Sequence, residues 1–377
     1  MPSYSGVWTL VAQMQAKEAG TWSGLPQLFS WGANSSGQLG LNDTVARSSP
    51  VQVGSLSNWS QIAAGPTFCV AIKVDGTLWS WGGNSNGQLG LGNTIGRSSP
   101  VQVGALTGWS QVASGNYHSV AIKTDGTMWS WGSNDNGRLG LNDIVYRSSP
   151  VQIGALTTWS QIASGNDFNL AIKTDGTMWS WGSGGAGSLG LNDVANRSSP
   201  VQVGALTTWS KVACGSSRSL AVKTDGTMWS WGSNDSGSLG LNDTANRSSP
   251  VQIGALTTWS QIASGTFHNI AIKTDGTLWV WGSNNAGRLG LNDTADRSSP
   301  VQVGGLTAWS QAAAGNAHAL VKKTDGTLWV WGFNGSGQLG QNDTISRSSP
   351  VQVGALTTWS TLAKMPFSNS SLVILVS

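Results

Sequence analysis

The sequence is almost without glutamate: Glu18 is the single one in 377 residues, accompanied by only three histidines and two cysteines. Charged residues make up just 10%. Acid/base and nucleophilic catalysis needs His, Glu, Asp or Cys set against one another, so this shortage argues against an ordinary hydrolase, and no enzyme activity is expected. Long apolar runs are also missing. No stretch approaches the roughly 18 residues of a spanning helix, and the N-terminus lacks the charged and apolar regions of a secretion signal, so no membrane insertion is expected. The net charge is +3, and no run of Lys or Arg gathers it into a patch, which argues against a nucleic-acid partner. Cys69 and Cys214 read as small core residues rather than a disulfide pair.

What the chain has in excess is Gly, 51 residues, and Trp, 22. Both recur with a period of 50 residues, without insertion or deletion, from about Trp31 to Trp359. Each copy runs WG-x-N-x-x-G-x-LGLND, then RSSPVQVG, then WS-x-x-A-x-G, then AIKTDGT-x-W-x-WG, and the Trp-Gly pair appears seven times, from Trp31 to Trp331. Short runs of Val, Ile and Trp between Gly, Pro, Asn and Asp are the pattern of strands joined by turns. In the second copy the strands are expected at roughly Trp59–Ala63, Val70–Val74, Leu78–Trp81 and Val51–Val53. Asp75-Gly76 is expected to form a tight hairpin turn with positive φ at both positions.

Seven four-stranded units of this length imply an all-β, seven-bladed β-propeller. The last copy stops after an apolar strand near Leu372–Val376, and the repeat opens at Leu28-Phe29-Ser30-Trp31. Each end holds what the other lacks, so one blade should be composite, with two strands from each terminus, closing the ring and removing sheet edges. The expected organisation is an extension over residues 1–27 and a propeller over 28–377.

The string Trp81-Gly82-Gly83-Asn84-Ser85-Asn86-Gly87-Gln88-Leu89-Gly90, followed by a Pro-Val segment and a Gly-x-x-His-x-x-Ala element, resembles the repeat of the regulator-of-chromosome-condensation family. The resemblance covers about Leu28 to Ser377. It implies a propeller used for binding, with members that include a nucleotide exchange factor, a β-lactamase inhibitor and many interaction modules. The family's His offset reads His118, His268 and His318 in three copies but Phe68, Phe168 and Arg218 in others. The acidic and basic surfaces of an exchange factor are not visible in this sequence.

Of sixteen Asp, six occupy the Asp-Gly turns and six follow Asn in the Leu-Asn-Asp element, where an Asx turn explains them better than calcium. The histidines fall in different sectors of the ring, so no metal and no cofactor is expected. Arg47 and its equivalents are expected to cap turns or to pair with an Asp of a neighbouring blade.

The copies differ mainly at Pro66–Cys69, Asn134–Arg138, Val145–Tyr146 and their equivalents. Loops on a rigid scaffold are where recognition sits, which makes Tyr117, His118, Phe168, Arg218, Phe267, His268 and Phe333 the candidate contact residues. The segment Ser5-Gly6-Val7-Trp8-Thr9-Leu10, with Gln13-Met14-Gln15-Ala16 and Ala19-Gly20-Thr21-Trp22, resembles N-terminal segments of bacteriophage virion proteins. That implies a virion component, assembled in the host cytoplasm. Val7, Trp8, Leu10, Val11 and Met14, at helical spacing, would dock to other virion proteins. A protein inhibitor or GTPase regulator, and a lectin binding cell-surface glycans through Trp, are the alternatives.

Overall fold

The computed structural model describes residues 25–376. These residues form seven four-stranded antiparallel sheets. The blades are named here by the tryptophan that opens the innermost strand. In the Trp59 blade the strands run outward as Trp59–Ala64, Phe68–Lys73, Leu78–Gly82 and Arg97–Gln102. Innermost strands of successive blades touch one another, and Trp359–Leu362 meets both Trp309–Ala314 and Trp59–Ala64, so the ring is closed. The closing blade is composite as expected: Trp359–Leu362 and Ser370–Leu375 come from the C-terminal end, Gln27–Gly32 and Arg47–Ser57 from the N-terminal end. Leu28 pairs with Ile374 and Trp31 with Ser371 across the seam.

Three local expectations are corrected. Val51–Val53 lies in the outer strand of the composite blade, and the fourth strand of the Trp59 blade is Arg97–Gln102. The segment after each Trp-Gly loop folds back on its own third strand, and its proline, which has no N–H to give a ladder, suits an outer edge. The second strand opens at Phe68, two residues early, because Phe68 pairs with Gly82 and Cys69 with Trp81. At the Asp-Gly turn only the glycine has positive φ, +76° at Gly76. Gly76 N–H donates to Lys73 O, and Lys73 N–H to Thr77 O, so this is a three-residue turn with a left-handed glycine.

Tryptophan holds neighbouring blades together. Trp81, fully buried, donates its indole N–H to Gln38 O in the preceding blade at 2.9 Å. The same bond recurs from Trp131 to Gln88, Trp181 to Arg138, Trp231 to Ser188, Trp281 to Ser238 and Trp331 to Arg288, and Trp31 to Gln338 completes the circle. Burial of one such ring removes 150–250 Å² from water, roughly 4–6 kcal/mol of transfer free energy. The Leu-Gly pair of the repeat fits this seat. Gly90 has φ +73°, and a Cβ there would lie 2.8 Å from Trp131 Nε1.

The Trp-Gly loop is tied by its own polar side chains. Asn34 Nδ2 donates to Asp43 O, Asp43 Oδ1 and Val45 O, and Asn34 Oδ1 accepts from Leu39 N–H. Asp43 Oδ1 also accepts from Val45 N–H, the expected Asx turn, and its Oδ2 takes the Arg47 guanidinium at 2.5 Å. These contacts hold the Asp43 carboxyl below its ordinary range, the Val45 N–H bond most of all. The arginine therefore pairs within its own loop. Among the described residues the expected pairing with an Asp of a neighbouring blade is not observed for this ring: six of the seven arginines reach the Asp four residues earlier, and Arg97, which has Asn93 there, caps Ile95 O and Gly96 O.

Candidate interaction face

In each blade the first and third strands run towards one face of the ring and the second and fourth towards the other. The turn after the first strand and the long loop after the third therefore open on the same face. All three places where the copies differ lie there. The opposite face carries the Asp-Gly turns and the Gly-Ala-Leu-Thr-Thr connections, which hardly change. On that constant face, Asp75 Oδ1 accepts from Thr77 N–H and Thr77 Oγ, Thr77 Oγ accepts from Trp79 Nε1, and Lys73 Nζ sits 4.5 Å from the Trp79 ring centroid. With Trp59 edge-on to Trp79, these turn side chains of the constant face are engaged in the scaffold.

The structure divides the seven candidate contact residues. Tyr117, Phe267 and Phe333 are 40–45% exposed on the variable face. His118, Phe168, Arg218 and His268 are at most 2% exposed, and they open the second strands rather than lying in loops. Their loop placement is corrected: antiparallel pairing draws each into the ladder against the Trp-Gly glycine of the third strand. They work between blades. His118 Nε2 meets Asn169 Oδ1 of the next blade at 2.9 Å, and His318 Nε2 donates to Ser371 Oγ at the same distance. Arg218 caps carbonyls of Gly265, Thr266 and His268 and reaches Asn269 Oδ1. Among the described residues His268 lacks the side-chain partner the other two have, since Ala319 stands where Asn169 and Ser371 serve them. Burial depresses all three imidazoles, His118 and His318 to about 3.

The Trp109 blade carries several departures from the repeat in one loop. Ile144, Val145 and Tyr146 are 45–69% exposed on the same face as Tyr117. Tyr146 donates its hydroxyl to the Asp135 carboxylate at 2.6 Å, which is the largest influence lowering that carboxyl. Arg138, 4% exposed, bridges Asp135 to Asp167 of the next blade, 2.8 Å from the latter. Asn196 Nδ2 donates to Asn136 Oδ1 across the same boundary. The result is an apolar and aromatic ridge on a braced polar base, suited to burying a partner's side chains. Variation at 134–138 and 145–146 was visible in the sequence, but the joining of Tyr146 to Asp135 was not.

A segment unmatched in the other blades closes the ring's channel on the variable face. Trp59 pairs with Lys73, fourteen residues on, whereas Trp359 pairs with Leu375, sixteen on. The extra length sits in Lys364–Asn369, which bonds to the Trp59, Trp259 and Trp309 blades through Ala64, Thr266 and Asn316. Loss of the Ala-x-Gly element after Leu362 was its sequence signal. Val7, Trp8, Leu10, Val11 and Met14 lie outside the described residues. Among the described residues no group of three His, Cys, Asp or Glu is placed to hold a metal, and no helix is long and apolar enough to cross a membrane.

Fold and face together define a closed seven-bladed propeller with one uniform and one diversified face. The chain belongs to the RCC1-like domain family, whose model matches residues 27–368. Yeast RCC1 (Prp20) in its complex with Kap60 is 20% identical, with TM-score 0.84 over 94% of this chain and 89% of that one. Human WBSCR16 is 24% identical, with TM-score 0.83 over 93% and 99%. Prp20p from Saccharomyces cerevisiae, described with its binding to Gsp1p and histones, is 20% identical, with TM-score 0.83 over 100% and 96%. At these identities the likeness establishes the fold. Among curated proteins none matches.

Proposed function

We propose that this chain is a non-catalytic binding propeller whose variable face captures a protein partner, with Tyr117 and Tyr146 of the Trp109 blade as the centre of the contact. The observation that carries the reading is the gathering of every varied loop on one face while the other stays uniform. Phe267 and Phe333 extend the same face in other sectors. Binding of protein partners by the yeast relatives, Kap60 in one case and Gsp1p and histones in another, supports the class of function.

The N-terminal resemblance favours a bacteriophage virion component, in tail, fibre or capsid decoration, with Val7, Trp8, Leu10, Val11 and Met14 docking the propeller to other virion proteins. No nucleic acid is needed in this reading. Cosedimentation of the protein with phage particles tests it: binding lost on deletion of residues 1–24 but kept in Tyr117→Ala/Tyr146→Ala is the expected result. Particles bound equally well without residues 1–24 would sink the docking role. Stoichiometric capture of a GTPase or hydrolase through the variable face would instead establish a regulator or inhibitor, and glycan binding abolished only by changes to the repeated Trp would establish a lectin.

A further inference from the structure

The central channel is a blind pocket. Its walls are the innermost strands, its floor is the Lys364–Pro366 stretch of the C-terminal segment, and its volume is about 270 Å³. The floor is firmly seated: Lys364 N–H donates to Ile62 O, Ala64 N–H to Lys364 O, and Thr266 Oγ to Pro366 O. At the opposite end, the third residues of the innermost strands, including Gln61, Gln261 and Gln311, form a half-buried rim on the constant face. The blades thus leave one way in.

The pocket's chemistry is one-sided. Lys364 extends its side chain from the floor across the channel, and its Nζ lies 3.4 Å from Ile162 O, two blades away from its backbone anchor. Three N–H bonds are available to an ammonium, and this long contact is the one found for Lys364 Nζ among the described residues. Lys211 replaces Gln in the rim, its ammonium donating to Ser260 O. No carboxylate lines the pocket among the described residues. Between rim and floor the walls are methyl-rich, with Val212, Ala213, Ile262 and Ala263 all half-buried and facing the space. Lys364 is exposed to the channel, and with no carboxylate beside it an entering anion would find its ammonium free of a counter-ion.

We propose that the channel binds a small organic monocarboxylate, its carboxylate on Lys364 and its short apolar body against Val212, Ala213, Ile262 and Ala263. A pocket of this volume lies just below the range for drug-sized ligands, so it admits an acid of a few carbons rather than a folded segment. The site is independent of the variable face, because its mouth opens on the other side.

The test uses the full chain with labelled methionine methyl groups, since Met365 lines the floor. Butyrate is expected to shift the Met365 methyl resonance saturably, while butyramide, its neutral analogue, leaves it in place. In Lys364→Met the butyrate affinity should fall at least tenfold, about 1.4 kcal/mol. Equal responses to butyrate and butyramide, no response to butyrate, or unchanged affinity in folded Lys364→Met would overturn the proposal. The comparison of butyrate with butyramide needs no variant, so it decides the matter even where the substitution disturbs folding.

Discussion

The two faces of the ring are made by the same fifty-residue unit, yet they have opposite freedom. On the constant face, Asp75, Thr77, Trp79 and Lys73 form one connected set of bonds and stacks, and replacing Thr77 would take a partner from both Asp75 and Trp79. On the variable face the loop scaffold is held by Asn34, Asp43 and Arg47, and the tips between them bear little load. Threonine, isoleucine and valine therefore exchange at the position of Ile144 from copy to copy. At such exposed tips a repeat can diversify for binding because its own structure does not use the side chain.

That contrast is broken most completely by opening the ring. Ending the chain at Ala363 removes Ser370–Leu375, the strand that joins the terminal strands of the composite blade. The expected outcome is loss of the cooperative unfolding transition, followed by near-UV circular dichroism. A single inter-blade residue should cost less. Trp231→Ala gives up a fully buried ring and the bond to Ser188 O, for an expected loss of about 3–5 kcal/mol in denaturant titration. The same titration on Tyr117→Ala should move stability by no more than about 0.5 kcal/mol, and a comparable loss there would erase the distinction between the faces.

Acid should act through the buried imidazoles. Their folded values lie below the ordinary 6.5, at about 3 for His118 and His318, so the unfolded chain binds more protons between those limits. Stability is then fullest above pH 6.5 and falls as the pH drops from 6.5 towards 3. His118→Phe, mimicking Phe68 and Phe168 at the same offset, should flatten part of that slope. An unchanged profile would show that His118 carries no share of it. One change should give a gain: Ala319→Ser offers His268 the kind of partner that Ser371 gives His318, and should add about 1 kcal/mol. Stability lowered by that change would mean the space at Ala319 is already filled.

Much of this architecture is legible residue by residue. The fifty-residue period, the Trp-Gly pairs and the complementary ends are local or additive features, and they specify blade number and closure. The Asx role of Asp43 follows from its position after Asn42. Less legible were features that depend on register. Placing the second strand two residues late put His118, Phe168, Arg218 and His268 in loops, although pairing with the Trp-Gly glycine buries them. The three exposed aromatics, Tyr117, Phe267 and Phe333, kept their expected surface position because each stands just outside a strand end.

The sequence by itself determined a ring of seven like units closed by its two ends, because hydrophobic periodicity and turn residues act over short distances and repeat without error. Only the tertiary structure decided which face is diversified, which candidates are buried, and that Lys364 reaches Ile162 across the channel. Those outcomes depend on contacts between residues far apart in the chain, and on strand register, where a shift of one or two positions exchanges buried and exposed side chains.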